Sequence, residues 1–533
     1  MMSFLQFSFW LFLCILIFAY YFLPKKFQWI YLLIGSYAFY TFAGIKTIGY
    51  ILFTTLSVWI GAMLLSKINE KKENELSEKK EVMTPEIKKN IRTLAKKKQR
   101  IIFWCVLLVN FAILAFLKYF NFAAQNINSL FDIAIGNKTQ PITLGLLLPL
   151  GISFYTFQSI GYLIDVYNGK YKAEKSLPRF ALFVSFFPQI VQGPINRFDK
   201  LANQLYETRK FDLKGFEYGL QLILWGLFKK MIIADRAIAV VNEVFNNYGK
   251  YGGAITILGI LFYSLQQYTD FSGGIDVAMG IAELFGINMS INFKRPYFST
   301  SLSEFWRRWH ITLGSWMRDY IFYPFALTKR MSRIGKLANK YFGKKIGRVI
   351  PVAISNIVVF LVVGIWHGPY WHYVAWGLYN GIIIAFSAIL EPFYDWLKRI
   401  TKVNTECFSY NLFRILRTFL IVNLGWYFDR ANSLKVSIYM LRNTIMNFNL
   451  NQLLDGTVFK LGLANLDFKI LFITTVILFV VSVMQESGMK VRAFLSEQNL
   501  VFRWIILYVL IFAIISLDAS SKNLLGGFMY AQF

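Results

Sequence analysis

Three cysteines in 533 residues, at positions 14, 105 and 407, are too few and too scattered for a disulfide framework or a thiolate metal cluster. All three read as packing residues. Charge is scarce as well, 16% of residues against 56% hydrophobic and 18% aromatic, which excludes an ordinary soluble protein of this length. Acids are scarcer than bases, 29 against 57, for a formal net charge of +28. In a soluble protein that excess would suggest nucleic acid; here its placement points to a membrane, and no nucleic-acid partner is expected. Internal repeats and soluble domains are absent. No cleavable signal peptide is expected, because the first apolar run has no basic start and no small-residue cleavage site.

What is abundant is apolar sequence of membrane-crossing length. Runs recur at about 4–23, 28–43, 47–66, 101–117, 142–163, 216–235, 253–269, 349–366, 371–390, 411–428, 468–484 and 501–517. They predict an all-α, polytopic membrane protein with ten to twelve transmembrane helices. The basic residues gather in two places: 67–100 holds twelve Lys/Arg against six Glu, and 329–348 (KRMSRIGKLANKYFGKKIGR) holds eight and no acid. Both read as cytoplasmic loops, in contact with anionic lipid or an acidic partner. The first is expected to be a solvated helical hairpin or partly disordered. This orientation puts the N-terminus outside, Lys25 and Lys26 inside, and makes the span from Val349 run outward.

Between about 150 and 325 the apolar runs are broken by Gly, Pro and charge, as in SFFPQIVQGPINRF and LFYSLQQYTDFSGGIDVAMG. Irregular backbone at membrane depth survives only when buried in protein or lining a wet cavity. This third is therefore expected to supply re-entrant or broken helices around a central channel. The whole chain, 1–533, reads as one membrane-embedded domain: N-terminal helices to 150, a core over 150–390, and C-terminal helices over 391–533.

Only three histidines occur, His310, His367 and His372, and an ionisable group inside a membrane is a site candidate by default. His367 ends an apolar helix in VVGIWHGPYWHYVAWGLYNG, where Gly364, Gly368 and Pro369 loosen the backbone. There an imidazole suits a general base; an interfacial histidine with a structural hydrogen bond fits the position equally. His310 lies in FWRRWHITLGSWMRDYIFYPF. Ser301 with Glu304 predicts a capping box and a helix to about Ile321, with Trp306, His310, Leu313, Met317 and Tyr320 on one face and Arg307, Gly314 and Arg318 on another. An amphipathic interfacial helix with snorkelling arginines explains that pattern too. His372 reads as structural, and without H-E-x-x-H or a Cys/His cluster no metal is expected. Asp270 and Asp276 bracket FSGGI and are expected to pair with Arg295, Arg307 or Arg318, or to line an ion path.

QYTDFSGGIDVAMG, then NFKRPYFSTSLSEFWRRWHITLGSWMRDYIFYP, then GIWHGPYWHYVAWGLYNG resemble the membrane-bound O-acyltransferase family, in its bacterial branch of alginate and other polysaccharide O-acetylases. FPQIVQGPINRF and the terminal GGFMYAQF also look like that branch, so the resemblance covers nearly the whole chain. It implies that His367 is the catalytic histidine at the waist of a channel and that His310 is the second histidine of the branch, on a helix dipping into the core. It further implies transfer of an acyl group, acetyl on that resemblance, from a cytoplasmic thioester to an extracytoplasmic polysaccharide or a partner acetyltransferase. His367 would take the proton of the acceptor hydroxyl, and His310 would orient the donor or stabilise the oxyanion through Nε2–H or Nδ1–H. Trp306 and Trp366 would shape the wall, and Arg307, Arg308 and Arg318 would meet the donor. The co-substrate would be a coenzyme A thioester or an acyl carrier, with no bound cofactor, in the cell membrane. The D-alanyl transferases acting on teichoic acid are related. The long segment after the WHG histidine favours the polysaccharide O-acetylases, while ALTKR, where alginate O-acetylases carry a glycine pair, leaves the polymer open. D-alanyl transfer and lipid O-acylation remain alternatives, and a transporter or channel is the alternative of another class.

Overall fold

The computed structural model describes residues 4–78, 84–136 and 140–518, and among these every regular element is a helix. Residues 79–83 of the first basic segment and the terminal GGFMYAQF lie outside them. Among the described residues five helices are long and apolar enough to cross a membrane, and two shorter apolar ones accompany them. The protein is a multi-pass membrane protein.

Residues 1–219 with 281–290 make one unit. Its helices are α1 (Phe7–Phe22), α2 (Gln28–Gly44), α3 (Ile48–Glu78), α4 (Pro85–Ile135), α5 (Ile152–Tyr167), α6 (Leu177–Ser185), α7 (Phe187–Gln192) and α8 (Phe198–Tyr206). On either side of residues 79–83 the 67–100 segment continues α3 and α4 as paired helical arms. Thr84 Oγ1 caps α4 by accepting the Ile87 N–H, with Pro85 opening the first turn, and Gln99 Nε2 donates to Asn69 Oδ1 at 2.8 Å across the pair.

Two expectations fail in this unit. The span over 142–163 is not one helix: residues 140–149 are irregular, and α5 starts only after Pro149 and a left-handed Gly151 (φ +67°). Cys14 and Cys105 are exposed rather than packed, because they sit on outward apolar faces. In QGPIN, by contrast, polar side chains close inward. Asn196 Nδ2 donates to Gln189 Oε1 at 3.2 Å, and Asn196 Oδ1 accepts the Ser290 N–H at 3.0 Å.

Residues 220–280 and 291–533 make the second unit. In it the end of α9 (Leu213–Leu227) leads to a π-helical turn, Phe228–Ala234, then α10 (Asp235–Asn246) and most of α11 (Gly253–Leu284). Two consecutive lysines on the π turn are buried and fully engaged. Lys229 Nζ donates to Asp276 Oδ2 at 2.7 Å and Ser272 Oγ at 2.9 Å. Lys230 Nζ meets Asp270 Oδ1 at 2.5 Å and Asp235 Oδ1 at 2.8 Å. The two aspartates of the FSGGI stretch thus pair with lysines where arginines were expected. A widened turn explains this, since it places adjacent side chains at spacings a 3.6-residue period does not. Arg236 Nε adds a buried pair to Asp467 Oδ1 at 3.1 Å, on α20 (Asn465–Glu486).

Further along come α12 (Leu302–Arg308), α13 (Ile311–Met317), a second π turn, Arg318–Phe322, and α14 (Tyr323–Ala326). α15 (Lys329–His367) and α16 (Trp371–Ile389) follow, with α17 (Glu391–Thr401), α18 (Phe408–Arg430) and α19 (Leu434–Met446) before α20. α21 (Val491–Ser496) and α22 (Leu500–Ser516) end the described chain. The crossing-length helices are α3, α4, α15, α16 and α20.

The basic 329–348 stretch is helical, not a loop. Thr328 Oγ1 accepts the Met331 N–H to start it. At Gly343 (φ 78°, ψ 165°) the chain reverses, a conformation that favours glycine. The two arms then close so tightly that a Cβ on Gly347 would lie 2.6 Å from Asn339 Cα and one on Gly335 3.1 Å from Pro351. All eight basic side chains of the hairpin are exposed.

Candidate active site

The single helix expected over 301–321 is two helices. Its start holds: Ser301 Oγ accepts the Glu304 N–H at 3.2 Å. The Glu304 carboxylate reaches back one residue further than a capping box requires, to Thr300 N–H at 2.9 Å and Oγ1–H at 2.8 Å. Beyond Arg308 the helix stops. Trp309 is extended, and His310 is left-handed at φ 45°, ψ 53°, an uncommon state for a non-glycine residue. The cause is tertiary. Lys294 N–H donates to Arg308 O and Ile311 N–H to Asn292 O, both at 2.9 Å, so an irregular upstream segment takes backbone bonds that a continuous helix would use itself. Trp306 and His310 therefore do not share a helical face.

The break gives His310 a buried niche. The ring is 3% exposed and stands edge-on to Phe271, centroids 4.9 Å apart. Asn292 Oδ1 accepts the Thr312 N–H at 3.0 Å and its hydroxyl at 2.9 Å, so at 3.2 Å it accepts from His310 Nδ1 too. His310 then carries its proton on Nδ1 and, when neutral, presents Nε2 as an acceptor. The Nδ1–H route to an oxyanion is thereby closed. Asn292, completely buried, is a site residue that the sequence did not announce.

His367 reaches the same place from α15. Gly364 and Gly377 let α15 and α16 touch backbone to backbone: a Cβ on Gly364 would lie 3.1 Å from Gly377 Cα. That contact sets the last turn of α15 against α16, with His367 8% exposed and its ring 4.6 Å from Trp376. The Trp366 ring is near both histidines, 6.0 Å from His310 and 5.2 Å from its chain neighbour His367. Trp306 stands behind Trp376, edge-on at 5.4 Å, and its Nε1–H donates to Asn380 Oδ1 at 3.0 Å. On the other side Asp429, at the end of α18, brings Oδ1 to 3.9 Å from His367 Nδ1. This carboxylate was also missed; its only signal is a lone acid in an apolar helix, LGWYFDR.

The remaining candidates divide. Arg308 is held by Glu304 at 2.7 Å and Glu486 at 2.8 Å, and Arg295 by Glu486 at 2.5 Å. Burial alone would raise the Glu304 carboxyl, but hydrogen bonds from Thr300 and the Arg308 guanidinium hold it below the usual glutamate value. Arg307 and Arg318 are exposed, with Arg318 3.0 Å from Asp319. Asp270 and Asp276 belong to the lysine cluster. His372 is structural: Nδ1–H donates to Phe428 O at 2.8 Å. No group of three or more His, Cys, Asp or Glu set to hold a metal occurs among the described residues.

A profile of the membrane-bound O-acyltransferase family matches residues 174–339. A probable alginate O-acetylase of Pseudomonas syringae pv. tomato is 33% identical over 430 residues, covering 80% of this chain and 72% of its own. A peptidoglycan O-acetyltransferase of Helicobacter pylori is 31% identical over 64% of each chain. A teichoic acid D-alanyltransferase of Bacillus subtilis is 29% identical over 52% of this chain and 67% of its own.

Proposed function

The chain belongs to the membrane-bound O-acyltransferase family and is an O-acyltransferase, and from there we propose that it carries an acetyl group from a cytoplasmic thioester across the membrane. The acceptor is a hydroxyl of an extracytoplasmic polysaccharide, reached directly or through a partner acetyltransferase, as the names of the alginate and peptidoglycan relatives suggest. We read the fold as ten to twelve spans in one acyltransferase domain, with the broken helices of the middle third re-entrant around a central channel. The observation that carries the reading is the convergence of His310 and His367, from separate elements, on the Trp366 ring.

In this mechanism His367 takes the proton of the acceptor hydroxyl as its oxygen attacks the thioester carbonyl. The tetrahedral intermediate expels the thiolate, which recovers that proton from the imidazolium and leaves as the thiol. His310, accepting at Nε2, orients a hydroxyl or an amide N–H of the bound substrates. Trp306 and Trp366 wall the site. The exposed cations of the 329–348 hairpin, with Arg307 and Arg318, attract the negative groups of coenzyme A or an acidic carrier. Membrane lipids complete the surroundings.

The test is His367→Ala in cells, followed by mass spectrometry of cell-surface polymers. Acetyl ester content should fall about 10²–10⁴-fold at normal protein levels; unchanged acetylation would remove His367 from the mechanism. The Bacillus subtilis relative favours one second reading, D-alanyl transfer to a teichoic acid. D-alanyl in place of acetyl esters on the same polymers would establish it.

A further inference from the structure

Asp429 lies at the end of α18, 5% exposed, in a part of the chain that none of the sequence motifs covers. Its Oδ2 accepts two hydrogen bonds from α11, from the Tyr263 hydroxyl at 2.6 Å and Gln267 Nε2–H at 3.0 Å. Oδ1 has no hydrogen-bond partner among the described residues and lies 3.9 Å from His367 Nδ1. A buried carboxylate with one oxygen doubly satisfied and the other turned to an imidazole is held in place for that imidazole, because leaving such an acceptor unmet is costly. The backbone beside it is pinned too, by the His372 hydrogen bond to Phe428 O.

We propose that Asp429 is the positioning residue for His367: its Oδ1 accepts the Nδ1–H, which leaves Nε2 as the basic nitrogen and stabilises the imidazolium formed when the acceptor hydroxyl loses its proton. The inference rests on the reading of His367 as the base. At 3.9 Å the two atoms are beyond hydrogen-bond range, and the bond forms when substrate closes the site, as catalytic hydrogen bonds commonly tighten only in the complex. A carboxylate accepting the second ring N–H fixes both the tautomer and the orientation of a functional imidazole.

Asp429→Asn isolates this role. With its amide oxygen kept on the Tyr263 and Gln267 donors, the variant turns an N–H toward His367 Nδ1, which forces the ring proton onto Nε2. Purified protein in liposomes, with acetyl-CoA as the donor probe, should show kcat lowered about 10²–10⁴-fold with KM little changed. The acidic limb of the pH profile should move down by about one unit or more, since the negative neighbour that favours the imidazolium is gone. Nitrogen-15 spectra of the three histidines with coenzyme A bound read the tautomer in the occupied site without any turnover: His367 should be Nδ1-protonated in the parent and Nε2-protonated in Asp429→Asn. Tyr263→Phe, which keeps the carboxylate, should lower kcat only about three- to tenfold and serves if Asp429→Asn does not fold. An unmoved acidic limb, or an unchanged tautomer, overturns the proposal. An active Asp429→Asn beside an inactive His367→Ala defeats the positioning role alone; an active His367→Ala defeats the base itself.

Discussion

Around Lys229 and Lys230 each ammonium rests on two oxygens at 2.9 Å or less, whereas Asp429 and His367, equally buried, face each other across 3.9 Å. Both regions take ionisable groups out of water, and both draw on α11. The first spends its hydrogen-bonding capacity within the protein and so fixes the π turn, α10 and α11 as one piece. The second keeps capacity in reserve, walled by Trp366 and Trp376. Buried charge alone does not mark a reactive site, and under the proposed mechanism it is the unmet Asp429 oxygen beside a titratable ring that does.

Substitutions can break that comparison. Lys230→Met and His367→Ala should fail in opposite ways. The first strands Asp235 and Asp270 without their cation and should cost about 3–5 kcal/mol, seen as lost folded protein in a detergent thermal melt, with near-normal activity per folded molecule. The second should melt like the parent and lose its turnover. A stable but inactive Lys230→Met would move the lysines into the chemistry. Trp306→Phe probes the wall behind Trp376. It keeps a ring against Trp376 but abandons Asn380 Oδ1, costing about 1–3 kcal/mol, and acetylation should stay within about tenfold; a larger loss would make Trp306 a substrate contact.

The smallest effect belongs to Glu304. Its carboxyl is held below the usual value, so its stabilising contribution is complete above the unfolded value and is lost as pH falls through the lower, folded one. Glu304→Gln should flatten the acid side of the melting curve and leave neutral stability nearly unchanged. An acid slope equal to the parent's would show that the Thr300 and Arg308 contacts carry no pH dependence.

Local sequence carried the parts of this molecule that local physics decides. Ser301 caps α12 because a hydroxyl three residues before an amide suffices, and the described arms of the 67–100 segment are helical because their charges suit solvated helix. The WHG turn placed His367 at a helix end, since glycine and proline act within a few residues. The break at His310 was not legible, because the groups that impose it, Asn292 O and Lys294 N–H, arrive from an upstream segment. Nor was Asp429, whose relation to His367 exists only once α15 and α18 are folded in the same unit. The lysine partners of Asp270 and Asp276 were missed for a third reason: a π turn shifts side-chain phase in a way that 3.6-residue spacing cannot anticipate.

The reversal at Gly343 also sets a molecular length. Gly335, midway along the basic arm, lies against Pro351, and from Pro351 to His367 the helix rises about 24 Å at 1.5 Å per residue. One molecule that rests its negative groups at the level of Gly335 and Pro351 while offering an acyl carbon at His367 must be extended over about that span. Such a donor would hold its charge and its reactive group about 24 Å apart. A compact acyl phosphate can visit either place but cannot occupy both together.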